Sequence, residues 1–340
     1  MSNKAKTIED LGEFGFIRSI TSGCITDPNG VVQGIGDDCA VIGPFGEKVL
    51  LVTADLLVEN VHFILDRIPP EHIGEKAVAV NLSDIAAMGG HPRHVIVSVA
   101  ISHLFPAQLL SGIYDGIKNA CKNYGVNILG GDTSSSPGGL FINVTAIGEA
   151  DRDKVVYRHG ARVGDRIYVC GMLGESIAGL KIIKGEISAD PAQWPSLIAA
   201  HTCPRPKIEE GEIIGRSGLA SAMIDISDGI VADLGHICEQ SGVGAEIYEN
   251  MLPISEDLLA LGQGYNLDIT EYALMGGEDY ALLFTVAPEN GDRLEKLLTR
   301  QAHIPPAFIG RITSGSSIRC VGPDGKQRNL GKKGFDHFAR

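Results

Sequence analysis
Long hydrophobic runs are missing from this chain. No apolar stretch in its 340 residues approaches the ~20 that a membrane-spanning helix needs. The polar start, MSNKAKTIEDLGEF, lacks the apolar core of a signal peptide. Basic clusters are absent too. The 29 Lys and Arg face 42 Asp and Glu, and the formal net charge of −13 argues against a nucleic-acid surface, which needs a positive patch. The seven cysteines (Cys24, Cys39, Cys121, Cys170, Cys203, Cys238 and Cys320) are scattered, odd in number and never spaced as CxxC. They argue against a disulfide framework and fit a reducing cytoplasm. There is no GxxxxGK[ST] phosphate loop, no HExxH helix, no GxSxG elbow and no HRD…DFG set. A phosphate-transferring enzyme with this sequence belongs to neither the P-loop nor the protein-kinase class.

What is present suits a compact globular protein with room for two domains: 44% of residues are hydrophobic and only 21% charged. Residues 48–53 (KVLLVT) read as a buried strand with Asp55 just past it. Residues 71–88 read as a helix of small residues, restarting near Ser83. Strands at 94–101, 126–129 and 140–147 and an amphipathic helix at 106–124, opened by Pro106, follow; the last two strands flank a GGDTSSSPGG loop. The polar stretch 148–153 is the expected boundary between an N-terminal domain (1–150) and a C-terminal one (151–340). Beyond it, strands are expected at 166–170, 222–226, 244–248, 280–286, 307–311 and 318–320, with helices at 175–183, 207–216 and 229–240. Strands and helices mixed in each half indicate α/β or α+β layers.

Acidic residues tied to glycine or small hydroxyl residues recur along this framework: Gly36-Asp37-Asp38, Thr53-Ala54-Asp55, Asn81-Leu82-Ser83-Asp84, Gly130-Gly131-Asp132-Thr133, Asp225-Ile226-Ser227-Asp228-Gly229 and Gly276-Gly277-Glu278-Asp279. Carboxylates delivered to strand ends and helix starts can converge, and a pocket that concentrates them is unstable without cations. Hard oxygen donors without clustered Cys or His favour Mg²⁺, which commonly holds a phosphate as well. Thr53 and Asp55 share one strand face, as do Asp225 and Ser227, while Ile224 and Ile226 point to the other. Asp225 thus interrupts an apolar strand. Other roles compete at several of these positions. Asp84 could cap IAAMGG and Asp228 could cap GIVADL. Asp37-Asp38 and Gly131-Asp132 could be plain turns, or a carboxylate pair needing counter-charge and a backbone approach to phosphate. Glu278 could face a ligand cation, or its loop could be a turn with a cap.

Taken in order, the stretches GIGDDCAVI, VTADLLVENVHF, KAVAVNLSDIAAMGGHP, LGGDT, GDRIYVCG, AMIDISDGIVADLGHI, LMGGEDYALLFTV and KKGFDHF resemble the thiamine-monophosphate kinase family over essentially the full length. That family is part of the group containing aminoimidazole ribonucleotide synthetase and selenophosphate synthetase. The resemblance implies an N-terminal α/β domain that pairs across a homodimer into a β-barrel, plus a C-terminal α+β domain. It implies direct, in-line transfer of the γ-phosphoryl group of ATP to thiamine monophosphate with several Mg²⁺ ions, and leaves a K⁺ requirement open. By matching position, it associates Asp38, Thr53, Asp55, Asp84, Asp132, Asp225 and Asp228 with metal. It likewise associates Gly131, Asp132, Arg158 and Ser227 with ATP, and His62, Glu278 and Phe335 with thiamine monophosphate. The family commonly carries a hydroxyl residue where this chain has Ala54, which could serve a metal only through its main-chain carbonyl. No residue is assigned as a general base. The alternatives are another ATP-using enzyme of the same superfamily, a magnesium phosphatase, or a non-catalytic ATP-binding regulator, which would have lost the carboxylates.

Overall fold
Residues 7–331 are described by the computed structural model. Thr7 opens the first helix, α1 (Ile8–Ile20), through a capping box with Asp10, and the helix bends at Gly12, where φ is 64°. Then follow β1 (Val31–Gln33), β2 (Ala40–Phe45), β3 (Lys48–Val58), α2 (Pro70–Ala87), β4 (His91–Ile101), α3 (Ala107–Tyr124), β5 (Asn127–Ser135) and β6 (Phe141–Asp151). The strands form one sheet in the order β1-β2-β3-β6-β4-β5, antiparallel except for the β4–β5 pair. Burial alternates residue by residue along β6, as expected of a strand with one covered face. Helices α2 and α3 pack together over that sheet. The sheet does not close on itself among the described residues: β1 and β5 are its edges.

Four sequence expectations change here. β3 continues to Val58, paired with β6 all the way to Phe141, so Asp55 lies inside the strand instead of just past it. α2 runs unbroken through Ser83, without a restart. The segment expected as a GGDTSS loop is strand: β5 pairs with β4 in register, Ser98 with Asp132 and Val99 with Thr133. Glycine and aspartate have weak strand preference, yet a neighbouring strand's ladder holds them at a sheet edge. The polar stretch after residue 147 is also strand as far as Asp151.

The chain continues with β7 (Arg166–Cys170), α4 (Glu175–Lys184), α5 (Pro195–Thr202), α6 (Ile208–Ser217), β8 (Ala220–Asp225), α7 (Ile230–Ser241) and β9 (Gly244–Tyr248). After these come α8 (Glu256–Tyr265), α9 (Ile269–Met275), β10 (Leu282–Val286), α10 (Pro288–Gln301), β11 (Ala307–Thr313), β12 (Ile318–Val321) and β13 (Gln327–Asn329). The second sheet has the order β13-β12-β9-β11-β7-β10-β8. Strands β7 and β10 are apolar on both faces because each face meets helices. Ile167, Val169 and Leu283 join Ile230 and Leu234 of α7, whereas Tyr168, Phe284 and Met223 join Ile213 of α6 and Leu294 of α10.

Helix α2 belongs to both halves. It packs on β3, β4 and β6, and also on α6 and β8. Small residues make this possible. A Cβ at Gly74 would lie 2.0 Å from the Ile113 carbonyl oxygen of α3, and one at Gly211 of α6 would lie 2.3 Å from the Ala86 oxygen. Helix backbones therefore touch, and the polar residues of α2 are carried to the seam between the sheets. Among the described residues no helix is long and apolar enough to cross a membrane.

Candidate active site
Three segments far apart in sequence meet at that seam. Asp38 stands before β2, Asp84 in the last turns of α2, and Asp225 at the end of β8. One carboxylate oxygen from each lies within 4.8 Å of the others. Each is held by a neighbour. Thr53 Oγ1 donates to Asp84 Oδ2 at 2.5 Å, and Ser83 Oγ donates to Asp225 Oδ2 at 2.6 Å. Arg158 donates to Asp38 Oδ1 from Nε (3.2 Å) and Nη2 (2.5 Å), and its main-chain N–H reaches Asp37 Oδ2 at 3.2 Å. Asp55 is fixed through its backbone, whose N–H donates to Asn81 Oδ1 at 3.0 Å.

The electrostatics follow from crowding in a buried place. Burial, with Asp55, Asp225 and Asp38 adding repulsion, pushes Asp84 well above the usual carboxylate range. Burial and then Asp38 push Asp225 up to about 8 and Asp55 up to about 6. Asp37 rises to about 7 for the same reasons. Asp38 is raised by burial although Arg158 opposes the shift. Asp38 Oδ2 is buried without a hydrogen-bond partner. Hard, convergent, mutually repelling oxygens with one orphaned lone pair fit a divalent cation such as Mg²⁺.

The ISDG turn after β8 is shaped by a residue that sequence reasoning passed over. Asp233, in the first turn of α7, accepts the N–H groups of Ser227 (3.1 Å) and Asp228 (3.2 Å). The N-cap of α7 is Gly229, and no side chain caps it. The expected capping role of Asp228 is thus not seen, because the helix starts one residue later. Likewise Asp84 sits within α2 and caps nothing. Asp228 instead lines a cleft of about 1080 Å³ together with Asp55, Asp84 and Asp225. Ala54, His62, Ser227 and Glu278 line the same cleft, along with apolar side chains such as Val61, Ile177 and Met275.

Glu278 reaches the cleft from a constrained loop. Its φ is 64° and that of Tyr280 is 47°, left-handed conformations that cost of order 1–3 kcal/mol each for such residues. Hydrogen bonds hold the loop: Glu278 N–H to Ser227 O at 2.7 Å and Tyr280 N–H to Ile226 O at 2.8 Å. Lys76 Nζ lies 2.8 Å from Glu278 Oε1, and His201 Nδ1 lies 3.2 Å from Oε2. Burial opposes ionisation of Glu278, but Lys76 and His201 outweigh it and keep the carboxyl below its ordinary range. Next to it, Asp279 accepts the N–H groups of Gly174 (2.7 Å) and Ser176 (3.3 Å) at the start of α4, so the capping alternative holds for Asp279 while Glu278 lines the cleft.

Not every expected site residue gathers here. Gly131 and Asp132 lie on the exposed edge strand β5, and Asp132 Oδ1 accepts the N–H of Thr133 at 2.9 Å. Asp132 is outside the three-carboxylate group. Phe335 lies outside the described residues. Lys76, Ser83, His201 and Asp233 escaped sequence reasoning. The lone charge in GIVADLGHI was the available signal for Asp233, since a charge is rarely buried without a partner, whereas Lys76 is masked by the adjacent Glu75. Nothing local marks His201, and Ser83 stood out only as the neighbour of Asp84, whereas its partner is the distant Asp225.

Known proteins resemble this chain along nearly its whole length. The family model described as AIR synthase related protein, N-terminal domain, matches residues 36–150, and the C-terminal domain of the same description matches 162–322. The thiamine-monophosphate kinase of Haemophilus influenzae is 38% identical over 332 residues, covering 96% of this chain and 98% of the relative. That of Bacillus subtilis is 36% identical over 331 residues, covering 96% and 100%. A solved structure of AaThiL complexed with AMPPCP and TMP superposes with a TM-score of 0.85 at 36% identity, over 99% of this chain and 100% of the other. The thiamine-monophosphate kinase of Stenotrophomonas maltophilia K279a gives 0.74 at 33% identity, over 92% and 95%. With its length, its fold and both of its sheets accounted for by these relatives, the chain belongs to the thiamine-monophosphate kinase family of phosphotransferases.

Proposed function
We propose that this enzyme transfers the γ-phosphoryl group of ATP to thiamine monophosphate, giving thiamine diphosphate, in the cleft between its two sheets. The observation that carries this reading is the meeting of Asp38, Asp84 and Asp225 at one point, beside a cleft that also exposes Glu278. The relative complexed with AMPPCP and TMP supports a nucleotide and a monophosphate as the two substrates.

The acceptor is itself a phosphate monoester with a second pKa of about 6, so near pH 7 its oxygen is largely ionised and no side chain need act as a general base. The obstacle is repulsion between two anions. Mg²⁺ supplies the charge neutralisation that lets them approach. Asp38, Asp55, Asp84, Asp225 and Asp228 would hold it, with Thr53 and the Ala54 carbonyl as further oxygen donors. Thr53 and Ser83 orient Asp84 and Asp225, and Asn81 anchors the backbone of Asp55. Arg158 orients Asp38 and offers guanidinium N–H groups to an ATP phosphate, a geometry that suits the planar fork. Ser227 binds ATP from the ISDG turn. Glu278 and His62 receive the thiamine end, and Phe335 offers its ring a face.

Two copies would complete the nucleotide site. Every residue of β5 is exposed, and Leu129 is 58% exposed. A long bare edge strand calls for cover. Pairing of two copies there would close a β-barrel and bring Gly131 and Asp132 to ATP. In this reading residues 1–150 bind ATP and metal and make the dimer, and 151–340 form the α+β domain. The seven free cysteines agree with work in a reducing cytoplasm.

The test is direct. The protein is incubated with Mg-ATP and thiamine monophosphate, and the products are separated by chromatography. Thiamine diphosphate and ADP should appear in equal amounts, and EDTA should stop both. ADP with free phosphate and no thiamine diphosphate would replace the kinase reading with a phosphatase.

A further inference from the structure
We propose that Lys76 and His201 are positioning residues for the thiamine end of the acceptor, acting through Glu278 by clamping one carboxylate oxygen each. The inference rests on the kinase reading above. Lys76 is 1% exposed and stands in α2 among small apolar side chains. A buried ammonium is costly without acceptors. Its acceptors here are Glu278 Oε1 at 2.8 Å and the main-chain oxygen of His62 at 3.1 Å. Both residues line the cleft, so one buried cation ties two of its walls together.

His201, also 1% exposed, comes from α5 on the far side of the sequence. Its Nδ1 lies 3.2 Å from Glu278 Oε2 and 3.2 Å from Ser176 Oγ. The main-chain N–H of Ser176 is held by Asp279, the residue next to Glu278. The chain of contacts therefore closes on the strained loop that carries Glu278. Lys76 and His201 do not line the cleft themselves. What reaches the ligand is a carboxylate whose two oxygens are both spoken for, leaving it a single orientation in which to accept the amino N–H of the pyrimidine or face the thiazolium charge.

The experiment compares steady-state kinetics of the full-length wild type with Lys76→Met, His201→Gln, Glu278→Gln and the double variant Lys76→Met/Glu278→Gln. The KM for thiamine monophosphate should rise roughly tenfold or more in Lys76→Met, the scale of one lost charged hydrogen bond, while kcat and the KM for ATP stay within roughly threefold. His201→Gln should raise the same KM and leave the other two constants alone. Adding Lys76→Met to Glu278→Gln should cost little more, because both act through one carboxylate. An unchanged acceptor KM in Lys76→Met, or a full additive penalty in the double variant, overturns the proposal. If Lys76→Met does not fold, an unchanged acceptor KM in His201→Gln overturns it. A wild type that makes no thiamine diphosphate brings down the kinase reading and this proposal together; normal wild-type kinetics with unaltered variants bring down this proposal alone.

Discussion

Replacing Asp225 by Asn should stabilise the metal-free protein while crippling the enzyme. In the fold the Asp225 carboxyl stands at about 8 against 3.8 for a free one, raised first by burial and then by Asp38. A carboxyl raised on folding takes up protons more readily in the folded chain, so its contribution turns against the fold as pH climbs from 3.8 towards about 8. At pH 7 the gap of about three units corresponds to ~4 kcal/mol, a ceiling because neighbouring carboxylates share the same repulsion. Asn removes the charge, and its carbonyl oxygen can still accept the Ser83 hydroxyl. In EDTA at pH 7 to 8, Asp225→Asn should therefore melt above wild type, and its Tm should depend less on pH. Excess Mg²⁺ should raise the wild-type Tm substantially and the variant's much less, and turnover should fall by roughly a hundredfold or more. Scanning fluorimetry with and without Mg²⁺ reads the first two effects. A metal-free variant less stable than wild type at pH 8, or an equal Mg²⁺ increment in both proteins, would refute the converging-charge argument.

Other expectations follow from the same geometry. Arg158→Gln removes the cation that holds Asp38 and should cost about 3 kcal/mol in urea unfolding of the metal-free protein, with part of the loss restored by Mg²⁺. A loss independent of Mg²⁺ would mean that the arginine and the cation do not share a task. If two copies pair through β5 as proposed, Leu129→Lys, which places a charge on that exposed edge strand, should shift sedimentation from dimer towards monomer and lower activity with it. An unchanged sedimentation profile would remove β5 from the interface.

Strands in the second half were legible because their apolar runs are short and sharply bounded; β7 and β9 match the expected ranges, and four of the five residues of each are buried. β5 was not legible past residue 129. Glycine, serine and threonine carry turn chemistry locally, and only the register with β4 makes them strand. The carboxylates of the cluster could be proposed from sequence because Asp84 interrupts an apolar element, Asp225 ends one and Asp38 stands just before one. Their organisers could not. Ser83 and Asp225 are separated by 142 positions, and His201 and Ser176 by 25, so no local spacing announces the pairing. Arg158 reads in sequence as one basic residue among several, and only the fold turns it towards Asp38.

The close contact of α2 with α3 on one side and α6 on the other has a mechanical consequence. A carbonyl oxygen already occupies the space that a methyl group would need at Gly74, which fastens α2 to α3 within its own half, and at Gly211, which fastens α2 to α6 of the other half and resists a swing between them. The two sheets share α2 as an axle welded at both ends. Admission of nucleotide and acceptor must then come from shifts in the elements that face the cleft, such as α4 and α9, and the amides of α2 should be the last to exchange with deuterium.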